Sequence, residues 1–233
     1  MKPLYGAVLV AAIAILFVSP AFAHADGLPV GGRALIVQDH NPWGYNSNQL
    51  VLDGLGVSYD IKTPTEFSKM TLSQILSYHT IIWPSQQYYQ YQIVSSNIMR
   101  AYMLVFVIRG GHLVLHVTPW GSGSYDFTGY FIFPMGLNAG HVVSYDGTDK
   151  VVGSDPILSG VPSTITSNYA SHGYFTGLPS IAHTLITDTS GRPVYFTWSL
   201  GSGKLYATMM TMEWQYGHGF TTLLYNELYW ATR

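Results

Sequence analysis

The chain is predicted to fold as an α/β three-layer domain, with a mainly parallel central sheet and a β-rich C-terminal half. Short continuous apolar runs alternate with helix-like segments through the first half, at residues 34–39, 57–61, 80–83 and 113–117. Such runs fit strands buried on both faces, and strand–helix alternation gives right-handed crossovers and parallel pairing. Beyond residue 180 the alternation stops. Three β-like segments follow at 182–187, 193–198 and 204–211, joined by Thr189-Ser190-Gly191-Arg192 and Gly201-Ser202-Gly203, which suit hairpin loops.

Taken in order, residues 34–39 open the sheet, and His40-Asn41-Pro42-Trp43-Gly44 turns the chain. A helix over 46–55 is capped by Asn46 or Ser47 and stopped by Gly56. Leu72, Ile75 and Leu76 share one face of a short helix over 71–78. A longer helix over 90–109 is apolar all round at 103–108 and ends at Gly110-Gly111. The strand after it stops at Thr118-Pro119-Trp120-Gly121, residues 119–140 form a Gly- and aromatic-rich loop, and 155–162 are dense in turn residues. A closing helix over 221–231 carries Leu223, Leu224 and Leu228 on one side. With no internal repeat and no linker, residues 26–233 read as a single domain.

Composition narrows the function. Charged residues make up 9% of the 233, against about 25% in an average soluble protein, and the formal net charge is −2. There is no electrostatic case for nucleic acid. Met1-Lys2, an apolar run over 7–18 and Pro20-Ala21-Phe22-Ala23 form the pattern of a secretory signal peptide, placed at residues 1–25 and cleaved after Ala23 or Ala25. The run falls short of the roughly 20 residues of a spanning helix, so no transmembrane segment is expected after its removal. The expected location is secreted or at the cell surface. Cysteine is absent. That excludes disulfides, thiol nucleophiles and cysteine-based metal sites.

Four stretches resemble the class I glutamine amidotransferase-like superfamily, a variant of the flavodoxin-like fold, with the trehalose-utilisation (ThuA-like) branch nearest. They are residues 34–39 opening on Asn41-Pro42-Trp43; Gly110-Gly111-His112-Leu113-Val114-Leu115-His116; Asp155-Pro156-Ile157-Leu158-Ser159-Gly160-Val161-Pro162, with Asp155 where a histidine often stands; and Gly203-Lys204-Leu205-Tyr206-Ala207-Thr208 followed by Met212-Glu213-Trp214. The resemblance covers residues 33–233 and implies the fold more than the activity. Amidotransferases of the family carry a cysteine nucleophile on the turn after the strand matching 113–117, where this chain has Val117-Thr118-Pro119. Without a thiolate, glutamine hydrolysis is excluded, and Pro119 offers no N–H for an oxyanion hole beside Thr118.

In such a fold the strand ends converge. They would gather Asp39, His40, Trp43, Ser85, Gln86, Thr118, Trp120 and Trp214 as ligand-binding residues, a set rich in rings and neutral hydrogen-bonding groups, with the Asp39 carboxylate beside them, suited to a sugar. Glu213 sits in an apolar–aromatic context, and a buried carboxylate needs a partner; His116, His172 and His218 are candidates. His116, Glu213 and His172 are therefore the candidate catalytic groups. No cofactor and no metal is expected: His112 and His116 lie about 13 Å apart along a strand, too far to share an ion. The leading expectation is an exported domain without thiol catalysis that binds a polar ligand or cell-surface component, with carbohydrate favoured. Two alternatives stay open, a ThuA-like sugar-modifying or hydrolytic enzyme, and a self-assembling homo-oligomeric surface protein.

Overall fold

The computed structural model describes residues 32–87, 96–118, 133–137 and 139–233. The signal-peptide segment, the start of the 90–109 helix, Pro119, Trp120 and most of the 119–140 loop lie outside the described residues. Nine strands form one sheet: β1 (Ala34–Val37), β2 (Tyr59–Lys62), β3 (Thr80–Trp83), β4 (His112–His116), β5 (Gly140–Val151), β6 (Thr164–Thr176), β7 (His183–Asp188), β8 (Pro193–Leu200) and β9 (Gly203–Thr208). Their order is β2-β1-β3-β4-β9-β8-β7-β5-β6. The pairings from β2 to β9 are parallel, and those from β9 to β6 are antiparallel. The sheet is thus mixed: parallel in its N-terminal part, antiparallel in its β-rich C-terminal half.

The helices are α1 (Ser47–Leu55), α2 (Pro64–Phe67), α3 (Leu72–Ile75), α4 (Asn97–Ile108), α5 (Met212–Gly217) and α6 (Thr222–Ala231). Alternate residues of each central strand feed two cores, as a sheet covered on both faces requires. Leu35, Trp83, Leu113 and Leu115 pack with Phe106 and Met103 of α4, and with Phe67 of α2. Ile36, Ile82 and Val114 pack on the other face with Leu52 of α1 and Leu223 and Leu228 of α6. None of the helices among the described residues is long and apolar enough to cross a membrane.

Local chemistry sets the boundaries. Gly56 takes the left-handed conformation (φ 69°) that ends α1. Thr71 and Gln74 form a capping box at α3. The same device, Thr63 with Glu66 and Pro64 between, starts α2, a helix the sequence reading left out. Also unforeseen were β5 and β6. Their pairing shifts register between Val143 and Asp146 and again between Asp146 and Thr148, which breaks the period-two pattern that marks a strand. The two family-like segments in the second half are tied together: Lys204 Nζ of β9 lies 2.6 Å from Asp155 Oδ2, while Asp155 Oδ1 accepts the Ile157 N–H of the following turn.

The β8–β9 hairpin is pressed against the end of α4. A Cβ on Gly203 would stand 2.2 Å from the Val107 carbonyl oxygen and 2.3 Å from that of Gly111. Both obstacles are backbone. Gly203→Ala is therefore expected to cost about 1–3 kcal/mol in urea unfolding. Gly54→Ala, inside α1 with no atom within 4 Å of the added Cβ, is expected to raise stability by up to about 1 kcal/mol.

Candidate functional site

His116 ends β4, at the carboxyl edge of the parallel strands, and is fully buried. Its Nδ1 is 2.7 Å from Glu213 Oε1, and its Nε2 is 2.7 Å from Glu227 Oε2. Glu213 comes from the first turn of α5, just after β9, and Glu227 from the inner face of α6. The Tyr195 hydroxyl of β8 donates to the other Glu227 oxygen. Asn48 Nδ2 at 3.0 Å and the Ser85 N–H at 3.2 Å donate to Glu213 Oε1, and Ser47 Oγ donates to the Glu213 carbonyl at 3.1 Å. One charged cluster thus joins α1, β3, β4, β8, α5 and α6.

With a carboxylate oxygen on each ring nitrogen, both nitrogens act as donors, and the ring is an imidazolium. Burial works against that charge, but Glu227 and Glu213 outweigh it and raise the His116 pKa to about 10. For Glu213, burial favours the neutral acid; His116 and the hydrogen bonds from Ser85 and Asn48 outweigh it and lower its pKa to about 2. A ring committed as a double donor holds no lone pair for a metal or for a substrate proton. Among the described residues no group of three or more His, Asp or Glu is arranged to hold a metal ion.

Around this cluster the strand-end loops interlock. Gln87 Oε1 accepts the Asp39 N–H at 2.8 Å, and Gln87 Nε2 donates to the His40 and Ser85 carbonyls at 2.9 and 3.1 Å. Gln86 Oε1 accepts the Trp43 N–H at 2.6 Å, and the Gln86 N–H donates to the Thr118 carbonyl at 3.1 Å. Asp39, His40, Trp43, Ser85, Gln86 and Thr118 are therefore gathered at one end of the sheet. Their exposures differ: Asp39 and His40 face solvent, whereas Ser85 and Thr118 are fully buried. Thr118 Oγ1 is spent on the Met210 carbonyl at 2.6 Å.

His172 joins a different group from Glu213. Its ring packs edge-on to Tyr145 at 4.8 Å, Tyr169 at 5.9 Å and Trp43 at 6.1 Å. Trp43 in turn meets Trp214 at 6.5 Å, and Trp214 lies 6.0 Å from Tyr45 and 3.9 Å from His218. The result is an arc of aromatic rings running from β5 and β6 across the β1 loop to α5. Sequence reasoning missed Glu227, Tyr195, Gln87, Tyr45, Tyr145 and Tyr169. A signal existed for Glu227 alone, an acid within the Leu223, Leu224 and Leu228 stripe of α6.

No family profile matches the chain. An uncharacterized protein of Clostridium acetobutylicum is 29% identical over 187 residues, which is 78% of this chain; the chain spans only 18% of that protein's length. Three solved structures are similar over most of the chain. A glutamine amidotransferase of Thermotoga maritima has a TM-score of 0.57 at 11% identity, covering 87% of this chain and 99% of its own. A cytoplasmic protein of Salmonella typhimurium has a TM-score of 0.58 at 15% identity, with coverages of 85% and 98%. The β-galactosidase of Rahnella sp. R3 has a TM-score of 0.51 at 14% identity, covering 86% of this chain and 30% of its own.

The two shifts set a pH window. The lowered Glu213 pKa contributes stability above its unfolded value near 4.5, lost as pH falls through about 2. The raised His116 pKa contributes stability that is complete below 6.5 and lost as pH rises through about 10. Urea unfolding across pH should show both limbs. His116→Ala, which leaves two buried carboxylates without their counter-charge, is expected to cost about 3–5 kcal/mol at neutral pH and to flatten the alkaline limb. The fold is thus similar to that of a glutamine amidotransferase, in a chain without cysteine, and its central histidine is held between two carboxylates.

Proposed function

We propose that the chain is an exported binding domain that takes an uncharged polar ligand, of carbohydrate class, at the carboxyl ends of its parallel strands, without thiol catalysis. The observation that carries this reading is the aromatic arc. Trp43, Tyr45, Trp214 and the rings around His172 stand beside neutral hydrogen-bonding groups of the strand-end loops. Ring faces stack on the C–H faces of sugars, while amides and hydroxyls meet their hydroxyl groups. Beneath the arc, His116 and Glu213 are occupied with each other, with Glu227 and with backbone donors, and so act as a rigid floor.

A ThuA-like hydrolytic or sugar-modifying activity is the second reading. It starts from the 2.7 Å pairing of His116 with Glu213 and requires that contact to open when substrate binds, since the closed pair offers no proton acceptor. Chromatography of oligosaccharides incubated with the protein separates the two: binding without product supports the first reading, and product formation lost in Glu213→Gln supports the second. For the binding reading, Trp43→Ala is expected to weaken glycan affinity by about tenfold, measured by calorimetry on the mature chain. Absence of glycan binding by the unsubstituted protein would sink it.

A further inference from the structure

The two edges of the sheet are finished differently. β2, at one edge, is four residues long and carries Asp60 and Lys62, with Arg33 paired to Asp60. A short strand bearing charged side chains is a common protection of an exposed edge. β6, outermost at the other edge among the described residues, runs for 13 residues. Its first five, Thr164, Ile165, Thr166, Ser167 and Asn168, carry neither charge nor proline.

The main chain of this stretch has one side unfilled. The Val151 N–H of β5 donates to the Ser163 carbonyl, and Asp149 stands opposite Ile165. Ser163 and Ile165 therefore turn their main-chain groups to β5, and those of Thr164 and Thr166 point the other way. Further along β6 that outer side is taken. The His172 N–H donates to the Met209 carbonyl at 2.9 Å, and the Thr211 N–H donates to the Ala170 carbonyl at 3.1 Å. Residues 209–211 lead directly into α5. Where they leave β6, a cleft of about 450 Å³ lies between residues 164–168 on one side and Trp214, His218 and Phe220 on the other. No Asp, Glu, Lys or Arg contributes to its lining.

We infer that an extended, uncharged segment of a partner protein adds to β6 in this cleft, its main chain pairing with the outward groups of Thr164 and Thr166. It would continue the contact that residues 209–211 already make along the same edge. Five strand residues span about 13 Å, so four or five residues of the segment are engaged. With α5 as its far wall, the cleft takes one strand and not the paired edge of a second copy. Neighbouring residues across a sheet point to the same face. Ile165 is buried in the core that Phe220 also joins, so the partner residue beside Ile165 turns inward and is apolar. Its two neighbours face solvent. An uncharged lining selects against a charged side chain at that inward position. This surface meets the aromatic arc only at Trp214, and the inference stands whether or not the arc binds a glycan.

NMR of the nitrogen-labelled mature chain tests this, with acetylated and amidated peptides Gly-Thr-Thr-Xaa-Thr-Thr-Gly carrying Val, Leu, Phe or Glu at the centre. At least one apolar peptide is expected to shift the Thr164 and Thr166 amide signals and slow their hydrogen exchange, and the Glu peptide to leave both unchanged. Methylating the backbone nitrogens of the two threonines beside the central residue should abolish the effect. Thr166→Pro, which removes an outward N–H and no bond to β5, is expected to weaken binding about fivefold with unchanged circular dichroism. The assignment falls if no apolar peptide shifts these two amides, or if the methylated peptide binds as well as its parent. It falls too if cello-hexaose shifts the same amides, which would return the cleft to a glycan. Protection of Thr164 and Thr166 that grows with protein concentration alone, alongside a dimer in light scattering, would give the edge to a second copy and overturn it.

Discussion

An imidazolium sealed from water is tolerable only when anions meet it directly. His116 meets that condition twice, with one carboxylate from α5 and one from α6. Because the contributing residues come from both halves of the chain, the cluster closes only when the parallel and antiparallel parts of the sheet are joined through β9. The hydrogen bonds from Asn48, Ser85 and Tyr195 then extend the same constraint to α1, β3 and β8. The position where the fold could present a reactive group is thereby turned into a charged keystone. Thr118, one turn further on, is bound to the Met210 carbonyl.

This arrangement separates two roles that lie close together in the fold. The floor is ionic, dry and shared among many elements. The surface above it is aromatic and partly solvated, supplied by loops and by β5 and β6. A substitution in the floor removes a buried counter-charge, whereas one in the rings removes only ring contacts.

What the sequence disclosed depended on how far each element announces itself locally. The strands β1, β3 and β4 are mostly apolar runs, every residue buried except the half-buried His112, and they were legible. So were α1, through its Gly56 stop although neither Asn46 nor Ser47 caps it by a side-chain bond, α6, through its leucine stripe, and the hairpins on either side of β8. β5 and β6 were not, because register shifts and mixed exposure hide their alternation. At the site, a lone acid among aromatics pointed to Glu213 and called for a partner, with His116, His172 and His218 as candidates; His116 is the one beside it. Glu227 escaped because it sits inside a leucine stripe and reads as part of a helix face. His172 was grouped with the acid–base pair on residue type, whereas its position on β6 turns its ring toward Tyr145, Tyr169 and Trp43.

Trp43 and Gln86 share a property rare in residues with a side chain: both adopt positive φ, at 50° and 65°. They are also bonded to each other, through the Gln86 carboxamide and the Trp43 N–H. Each strained residue holds the other in place, and the buried Thr118 carbonyl anchors the pair. The Trp43 backbone is therefore held in place by contacts within the protein itself. The direction in which the indole leaves the chain is thus set by the backbone twist of two loops, not by a helix or a strand.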